Sequence, residues 1–185
     1  MYFSCTKTIV QPPVPTPLDS IPLKNLASLG IKGDRKDVQT ITTPGFVLMG
    51  GSTDVNAAIK WMPDRSNGGD VVVIRATGTD AYDNYMYGLS NVNSVETLLI
   101  NSTSLANDEK VAKTIRDAEC LFIAGGDQWD YVSLWKNTKV NDAINYLVST
   151  KKVPVGGTSA GCMILGQFCC RKRISYYSGC LKESV

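Results

Sequence analysis

The chain has 185 residues, 43% of them hydrophobic, a mean hydropathy of −0.06 and a net charge of +2, the profile of one ordinary globular domain able to build a core. That balance lacks the basic footprint of a nucleic-acid binder, and no apolar run is long enough to span a bilayer, so neither nucleic acid nor membrane is expected as a partner. Six cysteines stand without any C-x-x-C spacing, which suggests neither zinc nor a thioredoxin-type dithiol; no metal or cofactor is expected.

Residues 1–10 lack the apolar stretch and small-residue cleavage site of a signal peptide, and the reading leans to a cytoplasmic address. Residues 11–17 are proline-dense and read as an extended spacer. Residues 18–40 show no period and read as a loosely held lead-in, so residues 1–40 are set apart from the domain. From Gly45 the grammar becomes regular. Phe46-Val47-Leu48-Met49 reads as a strand buried on both faces. Asp54 is expected to cap a helix through Ala57, Ala58, Ile59 and Trp61. Val71-Val72-Val73-Ile74 is a second buried strand, residues 81–89 an aromatic-rich helix, and residues 95–100 a third strand. Asn101-Ser102-Thr103 is a glycosylation sequon of the kind that arises by chance. Asn107 or Asp108 caps a helix with Val111, Ala112, Ile115 and Ala118 on one face. Leu121-Phe122-Ile123 is a fourth strand, helices follow around residues 130–135 and 140–148, and residues 153–155 form the last strand. Pro154 is tolerable only near that strand's start. Cys120 and Cys162, in apolar settings, are expected as buried free thiols.

Strands alternating with helices predict an α/β fold with a parallel sheet covered on both faces and ligands at the carboxyl ends of the strands. The chemistry concentrates at Gly157-Thr158-Ser159-Ala160-Gly161, which is G-x-S-x-G between a strand and a small-residue helix. That is the setting of a nucleophile elbow, where a strained turn presents the serine hydroxyl above the sheet. The plainer alternative is a glycine-rich turn with Ser159 as helix cap. Gly125-Gly126 lets a second loop approach without a Cβ, or is simply a tight turn. Asp127 reads best as the cap of the next helix. Gly50-Gly51-Ser52-Thr53-Asp54 lacks the spacing of a phosphate loop and reads as a turn bordering the pocket.

Phe46 to Asp54, Ala124-Gly125-Gly126-Asp127-Gln128 and Val155 to Gly161 resemble, in order and spacing, the cyanophycinase and peptidase E family of serine peptidases. The resemblance covers residues 41–167, taken as the domain. It implies a flavodoxin-like three-layer α/β/α fold akin to the class I glutamine amidotransferases, and hydrolysis of aspartyl-linked peptide bonds of the β-Asp-Arg type. The partner it implies is a peptide substrate containing Asp or Arg. It also implies Ser159 as nucleophile, the amides of Ala160 and Gly126 as oxyanion hole, and Gln128 with Asp127 and Gly51 around the substrate.

The pattern stops after Phe168. Residues 168–185 read as a divergent tail without the family's downstream strands, acidic residue and histidine, as from alternative splicing or a faulty gene model. The sequence has no histidine anywhere, and a serine nucleophile depends on such a base. Lys151 and Lys152 are near in sequence, but about 23 Å of extended chain separates Lys152 from Ser159. The chain as given is therefore expected to be inactive, with an open sheet edge that lowers solubility or pairs it with a second copy. Three rivals stand beside this reading: a non-catalytic peptide-binding pseudoenzyme, an α/β-hydrolase-type esterase, and an amidotransferase relative, which would carry Cys in place of Ser159.

Overall fold

The computed structural model describes residues 26–166. Six strands form one sheet: β1 (Ser28–Gly33), β2 (Gly45–Met49), β3 (Asp70–Arg75), β4 (Ser94–Leu99), β5 (Cys120–Ile123) and β6 (Pro154–Thr158), in spatial order β1-β4-β3-β5-β6-β2. All neighbours run parallel except β1, which is antiparallel to β4. The helices are α1 (Asn56–Asp64), α2 (Ala81–Leu89), α3 (Thr103–Ala106), α4 (Glu109–Asp117), α5 (Gln128–Trp135), α6 (Lys139–Tyr146) and α7 (Ala160–Ile164). A π-helical turn, Leu147–Lys151, extends α6.

The central strands are continuous apolar runs because both of their faces are covered. All four residues of β5 are buried, as are Val71 to Ile74 of β3. Val71, Val73 and Phe122 pack under α1 and α2, with Ile59, Met62 and Met86. Val72, Ile74, Leu121 and Ile123 face the opposite layer, with Ile115, Tyr131, Trp135 and Ile144 from α4, α5 and α6. This is the three-layer α/β/α arrangement expected from the alternation of elements. Several local readings hold. Pro154 opens β6, where a missing ladder donor costs least. Asp108 caps α4, accepting from the Lys110 and Val111 N–H groups. Ser102, read from the sequence only as part of the sequon, caps α3.

Other expectations need correction. The lead-in is not loose throughout: Ser28–Gly33 is an edge strand, and a register irregularity between Ser28 and Gly30 hides its period. The strand at Phe46 is not buried on both faces. Among the described residues it pairs only with β6, and while Val47 and Met49 turn inward, Phe46 and Leu48 are 57% and 62% exposed. Asp54 is not a helix cap. Val55 takes the N-cap position of α1 without a side-chain bond, and Asp54 bonds elsewhere. Cys120 is buried as expected, but Cys162 is partly exposed. The proline-dense segment and residues 168–185 lie outside the described residues.

The topology concentrates function at one end. The chain runs from β3 to β4 on one side, then returns to place β5 on the other side of β3, so the crevice of an open parallel sheet falls at the carboxyl ends of β3 and β5. β6 and β2 lie next in the sheet and end at the same edge.

Candidate functional site

Ser159 occupies the junction of β6 and α7 with φ 52° and ψ −118°, a region that L-residues avoid and that a strained strand-to-helix elbow imposes. Two glycines make this turn obligatory. A Cβ on Gly157 would lie 2.5 Å from the Gly161 carbonyl carbon, and one on Gly161 would lie 2.1 Å from the Ile123 carbonyl oxygen. Ser159 stands at the N-cap position of α7, yet its side chain makes no cap hydrogen bond. The plainer alternative for this residue thus lacks its defining contact.

Two loops close on the hydroxyl. The loop after β2 brings Gly51 near: a Cβ there would sit 3.5 Å from Ser159 Oγ. The loop after β5 brings Gly125 to a corresponding 3.5 Å from Ser159 Cβ. Both approaches are fixed by bonds. The Ser159 N–H donates to the Met49 carbonyl at 3.0 Å, and the Thr158 hydroxyl donates to the Gly50 carbonyl at 3.1 Å. The Tyr131 hydroxyl lies 2.8 and 3.0 Å from the Ala124 and Gly125 carbonyls and pins the second loop from below. Burial pushes the Tyr131 phenol up to about 12, so it stays a neutral donor. Its ring stacks on Trp135 with centroids 4.4 Å apart.

The remaining sequence candidates fall on these loops. Ala160 is buried at the first position of α7, where a helical N–H has no partner within its helix. Gly126 is exposed on the β5 loop, and a Cβ on it would meet the Tyr131 hydroxyl at 2.9 Å. Gln128 opens α5 and is half-buried. Asp127 caps α5, accepting from the Trp129 N–H at 2.9 Å, as its position suggested. Sequence reasoning missed Thr158 and Tyr131, which hold the loops in place. Thr158 stands inside the G-x-S-x-G motif, and Tyr131 follows the Gly125-Gly126 loop as the second aromatic of α5, after Trp129.

The two lysines nearest to Ser159 in sequence do not reach it. Lys151 is tied at the amino end of the sheet, where its Nζ donates to the Ala118 carbonyl and pairs with Glu119 at 2.9 Å. Lys152 precedes β6 and is likewise at the end opposite Ser159. Among the described residues, no group of three or more His, Cys, Asp or Glu is placed to hold a metal ion. No described helix is long and apolar enough to cross a membrane.

Beside the elbow, a cavity of about 630 Å³ opens between the loops after β2 and β3, lined by Thr53, Asp54, Asn56, Arg75, Tyr82 and Tyr85 among others. The Tyr82 hydroxyl donates to Asp54 Oδ2 at 2.6 Å, and the Tyr85 hydroxyl to Asn56 Oδ1 at 2.5 Å. Burial, reinforced by the Asp54 carboxylate, pushes both phenols upward.

Comparison with known proteins bears on this geometry. No curated protein matches the sequence. Among solved structures, the chain is similar to the crystal structure of a peptidase from an acI-B1 Actinobacterium, with a TM-score of 0.52 and 16% identity over 72% of this chain. The chain spans 60% of that structure's length, and at such identity the likeness concerns the fold alone. The family model described as Peptidase family S51 matches residues 46–177, a stretch that contains the β2 loop, the Gly125-Gly126 loop and the elbow. A match over that much of the sequence, on the loops that converge at Ser159, means that the chain belongs to peptidase family S51.

Proposed function

We propose that this is a serine-type peptidase-like domain in which Ser159 is the nucleophile and the amides of Ala160 and Gly126 receive the oxyanion. Gln128, Asp127 and Gly51 border the substrate, an aspartyl-linked peptide of the β-Asp-Arg type. The observation that carries the reading is the strained Ser159 backbone, with its hydroxyl unused as a cap and two glycine loops closing on it. Such a turn aims a hydroxyl and adjacent amide donors at one point, which acyl transfer needs.

The sequence contains no histidine. Removing the base of a serine–histidine unit lowers turnover by a factor on the order of 10⁶. The chain as given therefore binds such peptides without processing them at an enzymatic rate, which joins the proposal to its nearest rival, a peptide-binding pseudoenzyme. The esterase alternative gains nothing from the comparisons.

Calorimetric titration with β-Asp-Arg dipeptide tests the binding, and a turnover assay on the same material tests the inactivity. Binding is expected in the parent chain and lost in Gly51→Val, whose side chain covers the Ser159 hydroxyl. A dipeptide that ignores the chain, or binds Gly51→Val equally well, removes the site. Turnover near 1 s⁻¹ or above, the range of working enzymes, removes the inactivity.

A further inference from the structure

The Gly125-Gly126 loop lies between two side chains. Gly125 faces Ser159, for a Cβ on it would stand 3.5 Å from the serine Cβ. Gly126 faces the other way, for a Cβ on it would stand 2.9 Å from the Tyr131 hydroxyl. The peptide that joins them carries the Gly125 carbonyl and the Gly126 N–H. In a trans peptide, as all are among the described residues, these two groups point in opposite directions. The Tyr131 hydroxyl holds the Gly125 carbonyl at 3.0 Å, sharing its one proton with the Ala124 carbonyl at 2.8 Å. The Gly126 N–H makes no hydrogen bond among the described residues. Two successive glycines put no Cβ in the way of turning this peptide over, so the backbone alone does not choose which end faces Ser159. The phenol does, and it is rigidly held. Its ring is buried and stacked on Trp135, whose indole N–H donates to the Ile100 carbonyl at 2.9 Å. Burial raises the phenol's titration and outweighs the Arg75 charge and the Ala76 backbone, which lower it. The proton therefore stays on the hydroxyl, available to both carbonyls.

We infer that Tyr131 is a positioning residue: its hydroxyl fixes the Gly125–Gly126 peptide with the carbonyl toward the tyrosine and the Gly126 N–H toward Ser159. The orientation is a property of the loop by itself. Only its use, to receive an oxyanion formed on Ser159, rests on the function proposed above. A peptide turned over would aim its carbonyl oxygen at the developing negative charge and oppose it. Tyr131→Phe keeps the ring and its stacking on Trp135 and removes the one atom that selects the orientation.

The test uses the full chain, isotope-labelled, as parent and as Tyr131→Phe. Nuclear Overhauser contacts of the Gly126 amide proton report which way the peptide faces. In the parent this proton is expected to contact the Ser159 β-protons and not the ring of residue 131. In Tyr131→Phe the Ser159 contact is expected to be lost, with a ring contact in its place, while the amide shifts of β3, β5 and β6 stay. The parent measurement needs no variant and stands if Tyr131→Phe fails to fold. A second arm adds phenylboronic acid, followed by boron-11 NMR. There Ser159 Oγ forms a bond to the trigonal boron as its proton passes to water, leaving a tetrahedral anion. Ser159→Ala is expected to abolish this adduct. Tyr131→Phe is expected to weaken it roughly tenfold or more, the worth of one hydrogen bond to a charged oxygen. A parent that forms no adduct while Gly126 contacts Ser159 removes the reading of Ser159 and supports the role of Tyr131 in the loop. A Gly126 amide that contacts the ring in the parent, a contact pattern that Tyr131→Phe leaves unchanged, or an adduct equally tight in Tyr131→Phe would each overturn the proposal.

Discussion

At the scale of single residues, Ser159 shows what the elbow costs. Its φ of 52° with ψ −118° belongs to backbone space that glycine enters freely and serine does not. Such strain amounts to about 1–3 kcal/mol, from which glycine's larger loss of chain entropy subtracts about 0.5–1 kcal/mol. Ser159→Gly is therefore expected to stabilise the chain by about 1 kcal/mol, raising the melting temperature by roughly 2–4 °C in a domain of this size. Calorimetry checks this, and a Ser159→Gly variant that melts at or below the parent contradicts the strain. Asp54 offers a second lesson at this scale. A helix cap and a pocket carboxylate look alike in sequence, and only its bond to the Tyr82 hydroxyl, 28 residues away, separates them.

Between elements, the contact of α2 with β4 contains a pH-dependent tie. Asp83 on α2 is buried, and its Oδ1 accepts from the Thr97 hydroxyl of β4 at 2.5 Å. Burial pushes the Asp83 carboxyl up to about 6, against the opposing pull of the Thr97 bond. The folded chain thus holds this proton more tightly than the unfolded chain does. The stability it contributes is fully present below about pH 4, the ordinary range of Asp, and is lost as pH rises through about 6. Asp83→Asn keeps an acceptor for Thr97 and removes the charge. It is expected to stabilise by about 2 kcal/mol at pH 7 and to change little at pH 4. Denaturant melts of both proteins at the two pH values decide it, and a gain independent of pH would show that Asp83 titrates normally. Lys151 and Glu119 form another tie between elements, from the end of the π-helical turn to the start of β5, at the edge of the sheet away from Ser159.

At the scale of the molecule, the sheet has two unlike edges. β1 is antiparallel, irregular and lysine-bearing, features that discourage further pairing. β2 is parallel, and Phe46 and Leu48 stand exposed on one of its faces, with no strand beyond it among the described residues. Such an edge predicts association between copies. Sedimentation is expected to show species larger than the monomer at rising concentration, and Leu48→Lys to shift the balance back. A parent chain that stays monomeric throughout contradicts the expectation.

The sequence by itself determined the alternation of elements, the identity of the central strands and the elbow. These are local: the apolar runs of β3 and β5 are strands buried on both faces, and G-x-S-x-G between strand and helix requires the backbone that Gly157 and Gly161 permit. The tertiary structure alone decided that the Phe46 strand lies at the edge, that Ser28–Gly33 joins the sheet, and that Asp54 meets Tyr82. Those outcomes depend on strand order and on side chains distant in sequence, and a periodic pattern records how much of a residue is covered without recording which partner covers it.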